Sequence, residues 1–200
     1  MIEKLESIDT QLFLWLNGLH ADWLDMPMYY MSEGLFWIPV YLLILWMVAK
    51  AHGWKVALLS LLGVALVITM TDRGSVELFK EVFQRYRPSR NADIAHLVHT
   101  VDGYRGGKYG FISSHASNYF GLATFIFLLV RKTFVKWAFL LFVWAALIAY
   151  TRIYLGVHYP SDIFVGAVFG SLCGWIGYFV FKKAVLERVA GRATPTPSES

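Results

Sequence analysis

Five stretches of the chain carry no charged residue: Gly34–Ala49, Val56–Thr71, Gly110–Val130, Trp137–Thr151 and Ile163–Phe181. A soluble amphipathic helix keeps a polar stripe along one side. These runs have almost none. About 20 apolar residues cross a bilayer core, with a working range of about 17–25. The shorter runs reach that length with polar helical extensions at their ends. The pattern predicts an all-α integral membrane bundle of about five transmembrane helices.

Residues 1–20 follow a different rule. Ile2, Leu5, Ile8, Leu12, Phe13 and Leu16 recur at spacings of three and four, which predicts an amphipathic helix. Such a helix lies in the membrane interface or packs on the bundle. It is not a signal peptide, because Glu3, Glu6 and Asp9 stand where a basic segment belongs. The tail, GRATPTPSES, is polar and proline-containing, and it reads as disordered. The expected organisation is a single membrane-embedded domain over 1–190, opened by an interfacial helix over about 1–20 and followed by the tail 191–200.

Composition supports the membrane reading. Of 200 residues, 57% are hydrophobic and 16% charged. Soluble domains hold about a quarter charged residues. Disorder over most of the chain and an ordinary soluble domain are both excluded. Cys173 is the single cysteine, so no disulfide framework forms within the chain.

Charge placement orients the spans. Residues 50–55, 131–136 and the C-terminal segment carry nine basic residues against two acids, Glu187 and Glu199. The first 33 residues carry six acids and one base, Lys4. By the positive-inside rule, the C-terminus is cytoplasmic and the N-terminus external. Two further external segments remain, from Asp72 to about Gly110 and from about Thr151 to Asp162.

The chemistry sits in those two segments. The longer carries seven bases, Arg73, Lys80, Arg85, Arg87, Arg90, Arg105 and Lys108, on the side that should be poor in them. A solvated loop face is one reading; a site for an anionic ligand is the other. Lys80 and Arg87 are seven apart, about two helical turns, so they can share one face before Pro88 ends the helix. Ser113-Ser114-His115 opens the third apolar run. Ser113 there is either a plain N-cap or part of a phosphate-binding helix N-terminus. Arg152 precedes His158, and Asp162 follows it by four residues, close enough to accept its ring N–H. Asp162 is equally a helix-start acid. Three cations, two histidines and a carboxylate on one membrane face match the needs of phosphoryl transfer.

These residues resemble a known set. Lys80-x6-Arg87-Pro88, Ser113-Ser114-His115 and Thr151-Arg152-x5-His158-x3-Asp162 are similar to the three signatures of the type 2 phosphatidic acid phosphatase, or vanadium haloperoxidase-like, superfamily. The usual forms are K-x6-R-P, P-S-G-H and S-R-x5-H-x3-D. Ile112 stands in place of the proline, Ser114 in place of the glycine and Thr151 in place of the serine. The resemblance implies a membrane lipid phosphatase. In it Lys80, Arg87, Arg152, Ser113 and Ser114 bind phosphate, His115 is the general acid, His158 the nucleophile and Asp162 its orienting partner. It implies no cofactor and no metal, and His96-x-x-His99 lacks further ligands to make a metal site.

The expected substrate is a lipid phosphate or diphosphate, handled at the periplasmic face of a bacterial inner membrane. Undecaprenyl diphosphate is placed first. Lipid A phosphate, phosphatidylglycerophosphate and phosphatidic acid follow. Tyr104, Arg105, Lys108 and Tyr109 are candidates for headgroup contact. Phosphotransfer to a lipid hydroxyl, halide oxidation, and a non-enzymatic scaffold or transporter are the rival readings. The bases are split between two membrane faces, which argues against a nucleic-acid partner.

Overall fold

The computed structural model describes residues 2–191. Two short helices come first, α1 (Ile2–Asn17) and α2 (Asp22–Ser32). A turn of 3₁₀ helix, Gly34–Trp37, leads into α3 (Ile38–His52). Helix α4 (Trp54–Gly74) runs on through a π-helical stretch, Ser75–Lys80, into α5 (Glu81–Phe83). After a long loop come α6 (Ser114–Tyr154) and α7 (Pro160–Phe181), and the described chain ends in α8 (Glu187–Gly191). Among the described residues there is no strand, only an isolated antiparallel bridge between Tyr86 and Tyr109.

Among the described residues, four helical stretches are long and apolar enough to cross a membrane: Gly34–His52, Trp54–Phe83, Ser114–Tyr154 and Pro160–Val189. The all-α membrane architecture is as expected. Counted as continuous helices these are four, against about five expected spans, and α6 is the reason. The basic segment 131–136 forms no loop; it is helical apart from Phe134, whose φ of −130° and ψ of 39° break the helix. There α6 turns back on itself. The rings of Phe120 and Phe142 lie 6.4 Å apart, and those of Tyr119 and Trp144 5.2 Å apart. On a straight helix, positions 120 and 142 would stand about 33 Å apart. The element is therefore a hairpin of two antiparallel legs, 114–133 and 135–154. Arg131, Lys132 and Lys136 are exposed at its tip, where charge escapes the hydrocarbon.

Small residues hold the centre together. Gly166, Gly170, Gly174 and Gly177 are buried along α7. A Cβ at Gly170 would strike the backbone of Ser117, and one at Gly174 the carbonyl oxygen of Gly121. Glycine at these positions lets two membrane helices approach at backbone distance. The outer faces are apolar: Leu42, Leu62, Val143 and Phe164 are exposed, as side chains facing lipid should be.

Helix α1 is docked on the bundle by one side. Phe13 is fully buried, its ring edge-on to Tyr159 at 5.4 Å. The Asn17 amide donates to the carbonyls of His99, Ile153 and Tyr154. Leu5, Ile8, Leu12 and Trp15 stay exposed on the other side. The apolar spacing read along 1–20 thus serves two surfaces. Helix α2 was not expected; Leu24, Met28 and Tyr29 pack it against Tyr154 and Leu155.

Gly170→Ala should destabilise the protein by about 1–3 kcal/mol, because overpacking must push α7 from α6. Gly34→Ala, with no atom nearer than 3.9 Å to the added carbon, should leave Tm unchanged. Thermal unfolding of both variants in detergent checks the pair.

Candidate active site

The α6 hairpin returns the chain to the end of the bundle where it began. Ser113, Ser114 and His115 at its start therefore meet Arg152 at its finish. The π-helical stretch that continues α4 delivers Lys80 to the same end. The turn after Tyr154 delivers His158, and the first turn of α7 delivers Asp162.

Ser113 caps α6, its Oγ accepting from the Ala116 N–H at 3.3 Å, while its own N–H donates to the Asp162 carbonyl at 3.1 Å. The N-cap reading of this residue is thus the observed one. Lys80 Nζ donates to Ser114 Oγ at 2.6 Å. Ser114 Oγ lies 2.6 Å from Ser75 Oγ, which donates to the Asp72 carbonyl at 2.8 Å. A directed chain of hydrogen bonds therefore ties α4 to the start of α6.

Arg87 and Arg152 are buried, at 8% and 2% exposure. Arg87 is extended before Pro88, as a residue preceding proline prefers to be. Its Nε donates to the Tyr109 carbonyl at 3.2 Å. Gly106, at φ +59°, lies against the guanidinium where a Cβ would strike Nη1. Arg152 Nη2 donates to the Tyr104 hydroxyl at 2.8 Å. Arg87 Nη1 and Arg152 Nε are buried without a hydrogen-bond partner among the described residues. An unpaired buried charged donor is expensive. Two of them in one site call for an anion. Burial and the charge of Arg152 pull Arg87 down to about 10, so it stays protonated at neutral pH.

His158 is 1% exposed, and its Nδ1–H donates to Asp162 Oδ2 at 3.3 Å. That leaves Nε2 free. Burial, followed by the charges of Arg87, Arg152 and Lys80, holds this imidazole well below its ordinary value, so it is neutral. Asp162 Oδ2 also accepts from the Tyr159 N–H at 3.0 Å, closing the first turn of α7. Asp162 Oδ1 accepts from Arg85 Nη1 at 3.0 Å. A neutral nucleophilic nitrogen beside unpaired cationic donors suits attack on a phosphoryl group.

His115 lines a cavity of about 430 Å³ between α3, α4 and the first leg of α6. The rest of its wall is mostly apolar, with Tyr41, Ile44, Val48, Ile68, Tyr119 and Leu122 among the lining residues. The headgroup candidates divide. Tyr104 reaches Arg152 through its hydroxyl, and Tyr109 reaches Arg87 only through its carbonyl. Arg105 and Lys108 are exposed. The Lys108 ammonium lies over the rings of Tyr86 and Tyr109, at 5.6 and 5.1 Å, and its carbonyl accepts the Arg87 backbone N–H at 3.3 Å.

Sequence reasoning missed Arg85, Asp9, Ser161 and Ser75. Arg85 stood in view as one of seven bases, but only the fold shows which base faces a carboxylate. His99 donates its ring to Asp25 at 2.9 Å and stacks on His20 at 3.8 Å. Among the described residues, no three His, Cys, Asp or Glu side chains are grouped to hold a metal ion.

Comparison with known proteins follows the same lines. The sequence pattern of the PAP2 superfamily matches residues 53–186. A lipid A 4'-phosphatase of Bacteroides thetaiotaomicron is 41% identical over 201 residues, covering 100% of this chain and 87% of that one. A lipid A 4'-phosphatase of Porphyromonas gingivalis is 38% identical over 183 residues, covering 90% and 75%. The crystal structure of a transmembrane PAP2 type phosphatidylglycerolphosphate phosphatase from Bacillus subtilis has the same fold, with a TM-score of 0.62 at 23% identity, covering 92% of this chain and 87% of that one. The chain belongs to the PAP2 superfamily and is one of its membrane lipid phosphatases.

Proposed function

We propose that the protein removes a phosphate from lipid A at the periplasmic face of a bacterial inner membrane, through a phosphohistidine on His158. The full-length likeness to the Bacteroides lipid A 4'-phosphatase carries the choice of substrate. Undecaprenyl diphosphate, placed first from the sequence, is not supported by the relatives; lipid A phosphate is. The basic residues at the hairpin tip and in 182–188 lie away from the site, which supports a periplasmic site and a cytoplasmic C-terminus.

In this reading Lys80, Arg87 and Arg152 take the phosphoryl oxygens, and the two unpaired guanidinium donors find their acceptors there. The N–H groups at the start of α6 add to them. Nε2 of His158 attacks phosphorus, while its Nδ1–H stays on Asp162, which stabilises the developing positive charge. The bond to the sugar oxygen breaks, and His115 supplies that oxygen's proton. Water then splits the phosphohistidine, passing a proton to His115, so that phosphate is released and both imidazoles are restored. Charge stabilisation comes from the three cations, so the reading requires no metal. The apolar cavity beside His115 is lined as an acyl chain of the leaving lipid would require, which supports a lipid substrate.

With EDTA present, purified wild type should release phosphate from lipid A faster than from undecaprenyl diphosphate or phosphatidylglycerophosphate. His158→Ala should lose at least about 10³-fold in kcat. Preference for undecaprenyl diphosphate would overturn the substrate, and an active His158→Ala would overturn the nucleophile.

Stability should carry the mark of a neutral His158. The unfolded chain takes up a proton near the ordinary histidine value of about 6.5, whereas the buried imidazole does not. Stability is therefore full above that value and falls as pH drops below it. Between pH 7 and 5 the loss due to this group should reach about 2 kcal/mol. His158→Gln should remove that share, seen as a flatter plot of Tm against pH.

A further inference from the structure

We infer that Asp9, on α1, is a positioning residue for the reaction: through Arg85 it fixes the carboxylate that orients His158. The inference rests on the reading of His158 and Asp162 given above. Arg85 spans two carboxylates. Its Nη2 donates to Asp9 Oδ2 at 2.8 Å, and its Nη1 to Asp162 Oδ1 at 3.0 Å and Ser161 Oγ at 2.8 Å. The guanidinium carbon sits 3.8 Å from the centre of the Tyr159 ring, a cation–π arrangement that fixes its plane. Asp9 in turn grips the first turn of α7. Its Oδ1 accepts the Ser161 N–H at 2.9 Å, and its Oδ2 accepts the Ser161 hydroxyl. That N–H is one of the donors a helix start leaves unsatisfied.

The arrangement leaves each Asp162 oxygen with a defined task. Oδ2 faces His158 and the Tyr159 N–H, while Oδ1 is held by Arg85. Arg85 is a long side chain, a quarter exposed, and its other ion-pair partner is Asp9. Without Asp9, the guanidinium can swing towards solvent and release Oδ1. Asp162 can then rotate, and His158 loses its aim at phosphorus. Asp9 also neutralises Arg85, so that Asp162 is oriented without a surplus cation beside it. Docking α1 does not require this bond, since Phe13 and Asn17 already anchor that helix. Asp9 lies outside the segment matched by the superfamily pattern, and Arg85 falls at one of the unspecified places between Lys80 and Arg87.

The test measures phosphate release from lipid A in detergent micelles, below the Tm of every variant. Asp9→Asn should lower kcat by about 10- to 100-fold, the size of effect a small misplacement produces. KM should stay put, because Asp9 touches no substrate. Asp9→Glu, which keeps the charge, should recover part of the rate. Arg85→Gln should lose at least as much as Asp9→Asn, and the double variant should be no slower than Arg85→Gln alone, since both act through one contact. A wild-type kcat for Asp9→Asn, a loss confined to KM, or losses that multiply in the double variant would each overturn the inference. His158→Ala is run in parallel: if it is inactive while Asp9→Asn is unaffected, the positioning role alone fails, and if it is active, the reading of the nucleophile fails first.

Discussion

Two guanidinium groups buried at the end of an apolar bundle are the costliest feature of this structure. Arg87 and Arg152 are nearly inaccessible, and each keeps one buried nitrogen with no acceptor among the described residues. Breaking or orphaning a buried charge costs several kcal/mol. A membrane protein keeps such groups only where they are used. Much of the surrounding chain is shaped to hold them. Gly106 leaves room for Arg87, the Tyr109 carbonyl accepts from its Nε, and the Tyr104 hydroxyl takes one end of Arg152. These partners satisfy some of the donors and leave two buried nitrogens unpaired, a setting that suits an anion. An oxygen-rich, doubly charged group such as a phosphoryl is the natural complement.

Holding that cluster in place is the task of the helix packing. Arg152 and Ser114 belong to one element, and only the turn at Phe134 lets them meet. The glycines of α7 then set how near α7 comes to the first leg of α6, and so where Asp162 stands relative to Ser113. The Ser113 N–H bond to the Asp162 carbonyl records that closeness directly. The glycine spacing along α7 is therefore a packing device whose effect reaches the site. The apolar cavity lies between α3, α4 and α6, away from this tight seam.

The parts of this protein that follow from local rules were legible in its sequence. Uncharged runs gave the bundle, and three ordered signatures gave the superfamily. The residues of those signatures converge at one end of the bundle. What was not legible depends on contacts between distant segments. The turn within α6 was legible as the basic segment Arg131, Lys132 and Lys136 between two apolar runs, but with no glycine or proline there, nothing marked Phe134 as the residue where the helix breaks. Arg85 was one base among seven, and Asp9 one acid among six, until the fold set them beside Ser161 and Asp162. The choice among lipid phosphates depends on loop and cavity shape, which no short motif encodes. There the sequence pointed first to undecaprenyl diphosphate, and the relatives point to lipid A.

Ser114 is the departure from the family pattern that most needed an answer. Glycine at that position lets backbone approach a ligand closely, and a hydroxymethyl group there could crowd the site. The structure turns the Ser114 hydroxyl towards α4, where it meets Ser75 and Lys80. An ammonium has three donors, so Lys80 can keep its bond to Ser114 and still offer two to a phosphoryl oxygen. The bond to the serine therefore leaves two of the lysine's donors unclaimed. It fixes the direction of a long, flexible cation that glycine would leave to find its own place. Ser75, fully buried at the start of the π-helical stretch, completes the chain of donors down to the Asp72 carbonyl. The hydroxyl at position 114 is thus taken up by Ser75 and Lys80, on the π-helical stretch that continues α4.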